Sequence, residues 1–318
     1  MPEWAAFGVK SSARRTGSTG RWPPPHPARQ AVSAAASAVP PRRSSSDCRR
    51  QRPAGAAPAR KSKEEEQVQE RGPAAYVAEF VGTFALVFSI TASVVLFAPA
   101  ATTTVPGVPA PFQDFAVIGL VHTLALFFLI QSFALISGAH FNPAITLSLT
   151  AIRQLRIVDG GIYIVMQLAG GTLGALFTKA LMTGVNPGVH YGAPGLQLSR
   201  VGTTLGGMGA EGIGTLFLVL AVVAVAVNPT GLKDWSGLVI GGTLGFSVMI
   251  LAPLTGGSLN PARAFGPALV AHHWGDAGKW LLVYVLSPAV GGLIAAAGYF
   301  WLFIQPGKKG VTGTEPVG

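Results

Sequence analysis

Between residue 74 and about residue 305 the chain alternates long apolar runs with short polar breaks. A bilayer core about 30 Å thick takes roughly 20 helical residues to cross. Six runs reach that length and predict spanning helices over residues 75–98, 115–137, 157–183, 208–228, 235–254 and 279–304. Two more apolar stretches, 143–152 and 261–271, are too short to span. At membrane depth such helices are re-entrant, because their irregular ends are tolerated only against protein or a wet cavity. The pattern predicts an all-α membrane protein with six transmembrane helices and two re-entrant half-helices.

The runs also repeat. Ala78-Glu79-Phe80-Val81-Gly82-Thr83 returns as Ala210-Glu211-Gly212-Ile213-Gly214-Thr215, displaced by 132 positions. Ser137-Gly138-Ala139-His140-Phe141-Asn142-Pro143-Ala144 returns as Thr255-Gly256-Gly257-Ser258-Leu259-Asn260-Pro261-Ala262, displaced by 118. The Pro/Thr/Ala-rich stretch 98–114 takes up the extra length of the first half. With three spans per half, the second copy crosses in the opposite sense, which is an inverted repeat. The two short helices then dip toward the midplane from opposite sides, N-termini inward. Pro143 and Pro261 suit a first turn, where a missing N–H costs nothing. Asn142 and Asn260 become N-caps at the membrane centre, their NH2 groups turned to whatever lumen lies between the halves.

Composition agrees with a polytopic membrane protein: 49% of residues are hydrophobic and 11% charged, about half the charge of a soluble domain. Charge placement then changes the reading of the net +10. Residues 1–72 hold 14 of the 23 Lys and Arg and 6 of the 13 Asp and Glu, so the body is close to neutral. The basicity therefore belongs to a tail and implies no nucleic-acid partner. Residues 1–73 are read as a disordered basic tail, 74–305 as the channel-forming domain with repeats about 74–183 and 208–305, and 306–318 as a C-terminal tail. No apolar stretch before residue 75 resembles a secretory signal. The Arg/Ser-rich composition leaves a transit peptide, a cytosolic tail and an extension absent from the mature protein all open. Cys48, the single cysteine, excludes an intrachain disulfide and a Cys-based metal site. Arg153, Arg156, Lys233, Lys308-Lys309 and the basic tail fall on one side and Arg200 and Lys279 on the other, so both termini are expected on the cytoplasmic side.

At the two Asn-Pro-Ala segments and the repeated Ala-Glu-x-x-Gly-Thr the sequence resembles the aquaporin, or major intrinsic protein, family over about residues 74–305. The resemblance implies that paired half-helix ends and asparagine donors hold a passing water by its oxygen while their positive potential excludes protons and cations. It implies that Glu79 and Glu211 support the re-entrant loops. It also implies a narrower filter of His122, Val248, Gly257 and Arg263, a His/small/Gly/Arg set similar to the tonoplast intrinsic proteins of plants. His190 is a candidate extension of that filter. Water, with ammonia, hydrogen peroxide or urea, is the implied cargo, and a homotetramer the implied assembly. Ala264 stands where glycerol facilitators carry Asp, which argues against a glycerol specialist. Val285 stands where many members have Trp, which puts the packing near it in doubt.

Other function classes fit less well. An ion-coupled secondary transporter is also built from inverted repeats, but beyond the two glutamates the spans offer little for coupling. His140, His190, His272 and His273 are scattered without metal-ligand spacing, so neither catalysis, metal nor cofactor is expected. The vacuolar membrane, the plasma membrane and an organelle addressed by the tail are all compatible with the chain.

Overall fold

The computed structural model describes residues 71–98 and 115–305. The basic tail, Cys48, the stretch 99–114 and the C-terminal tail with Lys308-Lys309 lie outside the described residues. Eight helices carry the body: α1 (Pro73–Phe97), α2 (Phe115–Ser137), α3 (Pro143–Ala151), α4 (Ile157–Met182), α5 (Thr204–Val227), α6 (Lys233–Thr255), α7 (Pro261–Ala271) and α8 (Ala277–Ile304). All but α3 and α7 are long and apolar enough to cross a membrane. Their ends lie within two residues of the sequence-predicted bounds, with one exception. α5 starts at Thr204, four residues early, because the Thr203 hydroxyl accepts from Gly206 N–H at 3.0 Å and caps an additional turn.

Large apolar side chains cover the outside. Leu135, Ile157, Phe128 and Trp301 are mostly exposed, while Glu79, Glu211, Gln167 and Arg263 are buried. This inversion suits a hydrocarbon solvent and would drive aggregation in water.

The two halves interlock. α1 packs on α4 and α5 on α8, the same pairing in each copy, while α2 crosses α6 between the copies. The half-helices are exchanged: α7 of the second half lies on α4 of the first, and α3 of the first half lies on α8 of the second. A glycine pair on each third span makes room for both neighbours. At Gly170 a Cβ would overlap the Phe80 carbonyl of α1, and at Gly291 the Gly212 carbonyl of α5. At Gly171 it would come within 2.7 Å of the Ala262 carbonyl on α7, and at Gly292 within 3.4 Å of the Ala144 carbonyl on α3. Close backbone approach through small residues is what holds helices together where lipid removes the hydrophobic drive.

Gly291→Leu therefore overpacks the α5–α8 crossing by about 3 kcal/mol, expected to lower the melting temperature of the detergent-solubilised protein by about 10 °C. Gly298, which has no neighbour within 4 Å, is the control: Gly298→Leu leaves the melting temperature unchanged, and equal losses for the two variants would contradict this packing.

Candidate functional site

The site begins with two buried carboxylates. On α1, Glu79 Oε1 accepts from the Ser137 hydroxyl (2.6 Å) and His140 N–H (2.9 Å), and Oε2 from Phe141 N–H (2.7 Å) and the Gln167 amide (2.8 Å). On α5, Glu211 Oε1 accepts from the Thr255 hydroxyl (2.6 Å) and Ser258 N–H (2.9 Å), and Oε2 from Leu259 N–H (2.7 Å). Each carboxylate thus gathers the backbone donors of the loop that enters its half-helix. Those loops need it. Ala139 (φ 53), Phe141 (φ 49) and Leu259 (φ 53) sit in the left-handed region without being glycine, at about 1–2 kcal/mol each. The twist turns successive N–H groups to one side, where an acceptor-only anion can take them.

A second brace was not singled out from the sequence. Tyr163 O–H donates to the Ser137 carbonyl (2.8 Å) and Tyr284 O–H to the Thr255 carbonyl (2.7 Å). The signal was available as a third repeat marker, Tyr-x6-Gly-Gly, at Tyr163/Gly170-Gly171 and Tyr284/Gly291-Gly292.

The half-helices meet at their asparagines. Asn142 Oδ1 accepts from Ala144 N–H (2.8 Å), and Asn260 Oδ1 from Ala262 N–H (2.9 Å) and Arg263 N–H (3.3 Å). Pro143 and Pro261 occupy the first turns. With each oxygen committed to its own helix, each NH2 is fixed toward the other half. Asn142 Nδ2 donates to the Leu259 carbonyl and Asn260 Nδ2 to the Phe141 carbonyl, both at 2.9 Å. These crossed bonds join the two loops in mid-membrane.

The other candidate residues make contacts of their own. Arg263, three residues past Asn260, is buried, and its Nη1 donates to the Gly192 carbonyl at 3.0 Å. Its charge lies near enough to act on His122. His122 is buried on α2, with Nδ1 bonded to the Ile118 carbonyl at 2.7 Å. A carbonyl accepts only, so Nδ1 carries a proton, while Nε2 has no protein partner. Gly257 (φ 56) faces Val248: a Cβ on it would come within 3.3 Å of the Val248 Cα. His190 is exposed and stacks on His273, with ring centroids 3.8 Å apart, so what its turn brings to Arg263 is the backbone of Gly192. Among the described residues no group of three or more His, Cys, Asp or Glu could hold a metal.

Glu79→Gln keeps the shape but turns an NH2 toward backbone donors, leaving at least one buried N–H unmatched at about 3 kcal/mol. The expected result is a melting temperature lower by about 10 °C and loss of most flux through reconstituted protein. A variant of wild-type stability would show that the loop does not depend on the carboxylate.

A family model described as Major intrinsic protein matches residues 67–299. The chain is 36% identical over 228 residues to the glycerol uptake facilitator protein-like 6 of Lactiplantibacillus plantarum, covering 70% of this chain and 94% of that protein. It is 35% identical to aquaporin TIP4-4 of Zea mays (76% and 90% covered) and 35% to aquaporin TIP2-1 of Arabidopsis thaliana (72% and 87%). Among solved structures, the aquaglyceroporin from Plasmodium falciparum superposes with a TM-score of 0.59 at 24% identity, over 73% of this chain and 96% of that one, a likeness of fold. The chain is a multi-pass membrane protein and belongs to the major intrinsic protein family, whose members are channels and not enzymes.

Proposed function

We infer that the protein is a passive channel for water and small neutral solutes, selecting them at His122, Val248, Gly257 and Arg263. The observation that carries this reading is the pairing of two crossed asparagine amides with a buried Arg263, three residues past Asn260, and a buried His122. Each amide has two N–H groups and spends one on the opposite loop, which leaves the other for a passing oxygen. The positive ends of α3 and α7 point at the same spot, so a cation there meets two half-dipoles and then the guanidinium. Protons are excluded by the same field, and the doubly hydrogen-bonded water cannot relay them.

Val248 and Gly257 put little volume on one wall, and His122 Nε2 has no protein partner to compete with a solute. Ammonia, urea and hydrogen peroxide suit that combination. The likeness to a glycerol uptake facilitator extends to small polyols only in part, since Ala264 offers no carboxylate to bind hydroxyls. The assembly proposed is a homotetramer in the membrane, with both termini cytoplasmic by the charge of the connecting loops.

Stopped-flow swelling of proteoliposomes tests the reading: water, urea and ammonia pass faster than through empty vesicles and glycerol more slowly than urea. No increase over empty vesicles for water would refute it. Arg263→Val removes the charge and is expected to raise urea and cation flux relative to water by about tenfold, near 1.4 kcal/mol of barrier. Since Cys48 is the single cysteine and belongs to the tail, mercurials should leave the flux unchanged.

A further inference from the structure

On the outer surface between α4 and α8 lies a hollow of about 480 Å³ that shares no residue with the filter positions. Every residue lining it is apolar, among them Leu168 of α4, Leu147 of α3, Phe265 of α7 and Leu281 and Val285 of α8. Leu147, Leu281 and Val285 are exposed, so the hollow opens on the apolar belt that faces the bilayer. Pro143 and Pro261 line it as well, which puts its inner end behind the first turns of both half-helices. Left empty, such a hollow forfeits dispersion contacts along its walls, and it offers water no set of polar partners. Hydrocarbon is the filling its chemistry accepts. A second hollow, of about 290 Å³, shares Trp274 and Trp280 with the first. Lys279, Asp276, His273 and Gln197 give it polar walls. Lys279 Nζ lies 3.7 Å from Asp276 Oδ2 and both side chains are half-exposed, a pair that contributes little to the fold and leaves both charges open to a ligand. Tryptophans between an apolar and a wet compartment mark the level where lipid headgroups begin. From Lys279 to Ala289, which also lines the first hollow, α8 covers ten residues. That is about 15 Å at roughly 1.5 Å each, half of a bilayer core about 30 Å thick. Together the two hollows run from headgroup level to the midplane, the reach of one acyl chain in one leaflet.

We propose that the two hollows form a binding site for one zwitterionic phospholipid: its phosphate lies on Lys279, its ammonium on Asp276, and one acyl chain passes Trp274 and Trp280 to fill the space behind the half-helices. The site is separate from the conduction path and does not depend on which residues select the solute. Charges of both signs on one rim match a headgroup that carries both, through charge-assisted hydrogen bonds. A chain of one leaflet supplies what the apolar hollow lacks, contact along walls that no side chain fills, with Val285 leaving the space open on α8. The half-helices stand to gain most from it. α3 has nine residues and α7 eleven, lengths at which a helix depends on what packs against it. The bound chain adds that packing where the hollow leaves Pro143 and Pro261 bare, so the lipid-loaded protein is the more stable one.

The test is native mass spectrometry of the detergent-purified full chain, stripped of lipid and then titrated with dioleoyl phosphatidylethanolamine. Wild type is expected to keep one phospholipid per chain under activation that removes the others, and to melt about 5 °C higher with it bound. Val285→Trp places an indole in the apolar hollow and Lys279→Gln removes the cation from the polar one; each weakens retention about tenfold or more. Val290→Trp, exposed on the same helix outside both hollows, retains the lipid as wild type does. Lys279 is half-exposed and its replacement leaves the fold intact, so that variant decides the matter even where Val285→Trp does not fold. A wild type that holds no phospholipid, or retention equal to wild type in Lys279→Gln or in a folded Val285→Trp, would overturn the proposal. So would glycerophosphoethanolamine, the headgroup without chains, binding as tightly as the lipid. A Val285→Trp particle with fewer chains than wild type would also overturn it, by showing that a second copy covers this face. None of these outcomes bears on the channel reading, which stands or falls on water flux.

Discussion

Two carboxylates buried where a membrane protein can least accommodate them hold this architecture together. A half-helix that starts at the bilayer centre needs an irregular loop to reach it, and irregular backbone in hydrocarbon leaves N–H groups without partners. Glu79 and Glu211 take those N–H groups directly, with Ser137 or Thr255 completing the set. The dependence runs both ways. Without the loop donors each carboxylate would be an uncompensated charge at depth, and without the carboxylate the left-handed residues Ala139, Phe141 and Leu259 would relax.

Everything nearer the pore inherits its position from that constraint. The loops present Asn142 and Asn260, whose oxygens close their own helices and whose nitrogens cross to the opposite loop. Because α3 rests on α8 and α7 on α4, neither half completes its own bundle. The glycine pairs on α4 and α8 allow this exchange, one glycine of each pair facing its own half and the other facing the half-helix of the partner half.

Much of this was legible in the chain. Span lengths, the inverted duplication and the asparagine caps follow from hydrophobic run length and repeated motifs, because a bilayer allows few ways of satisfying a backbone. Tyr163 and Tyr284 were passed over because a tyrosine in an apolar run reads as packing until its hydroxyl partner is known. The first turn of α5 falls outside the expected span, because a cap by Thr203 adds a turn that run length does not register. Least legible was the Pro187–Gly192 turn: its contribution to Arg263 is a carbonyl, and a main-chain acceptor leaves no mark on residue type. His190 could be picked out, but not that its ring would meet His273, 83 positions away.

The duplication also shows where scaffold ends and selection begins. Moved through the repeat by 118 positions, Gly138, Asn142 and Pro143 fall on Gly256, Asn260 and Pro261, and Ser137 falls on Thr255, another hydroxyl. The positions proposed for the filter differ more: the polar His122 and Arg263 have no polar counterpart. Arg263 corresponds to Ile145, Gly257 to Ala139, Val248 to Ile130 and His122 to Ile240, and all four counterparts are buried in one apolar cluster. On the function proposed above, the same fold therefore carries a charged, hydrogen-bonding set of residues in one place and an apolar wall at the positions that mirror it. Parts that satisfy backbone must be present twice, since each half-helix enters the membrane separately. A barrier to solutes in series along one path is needed only once, so one copy of the repeat was free to lose it or never to acquire it.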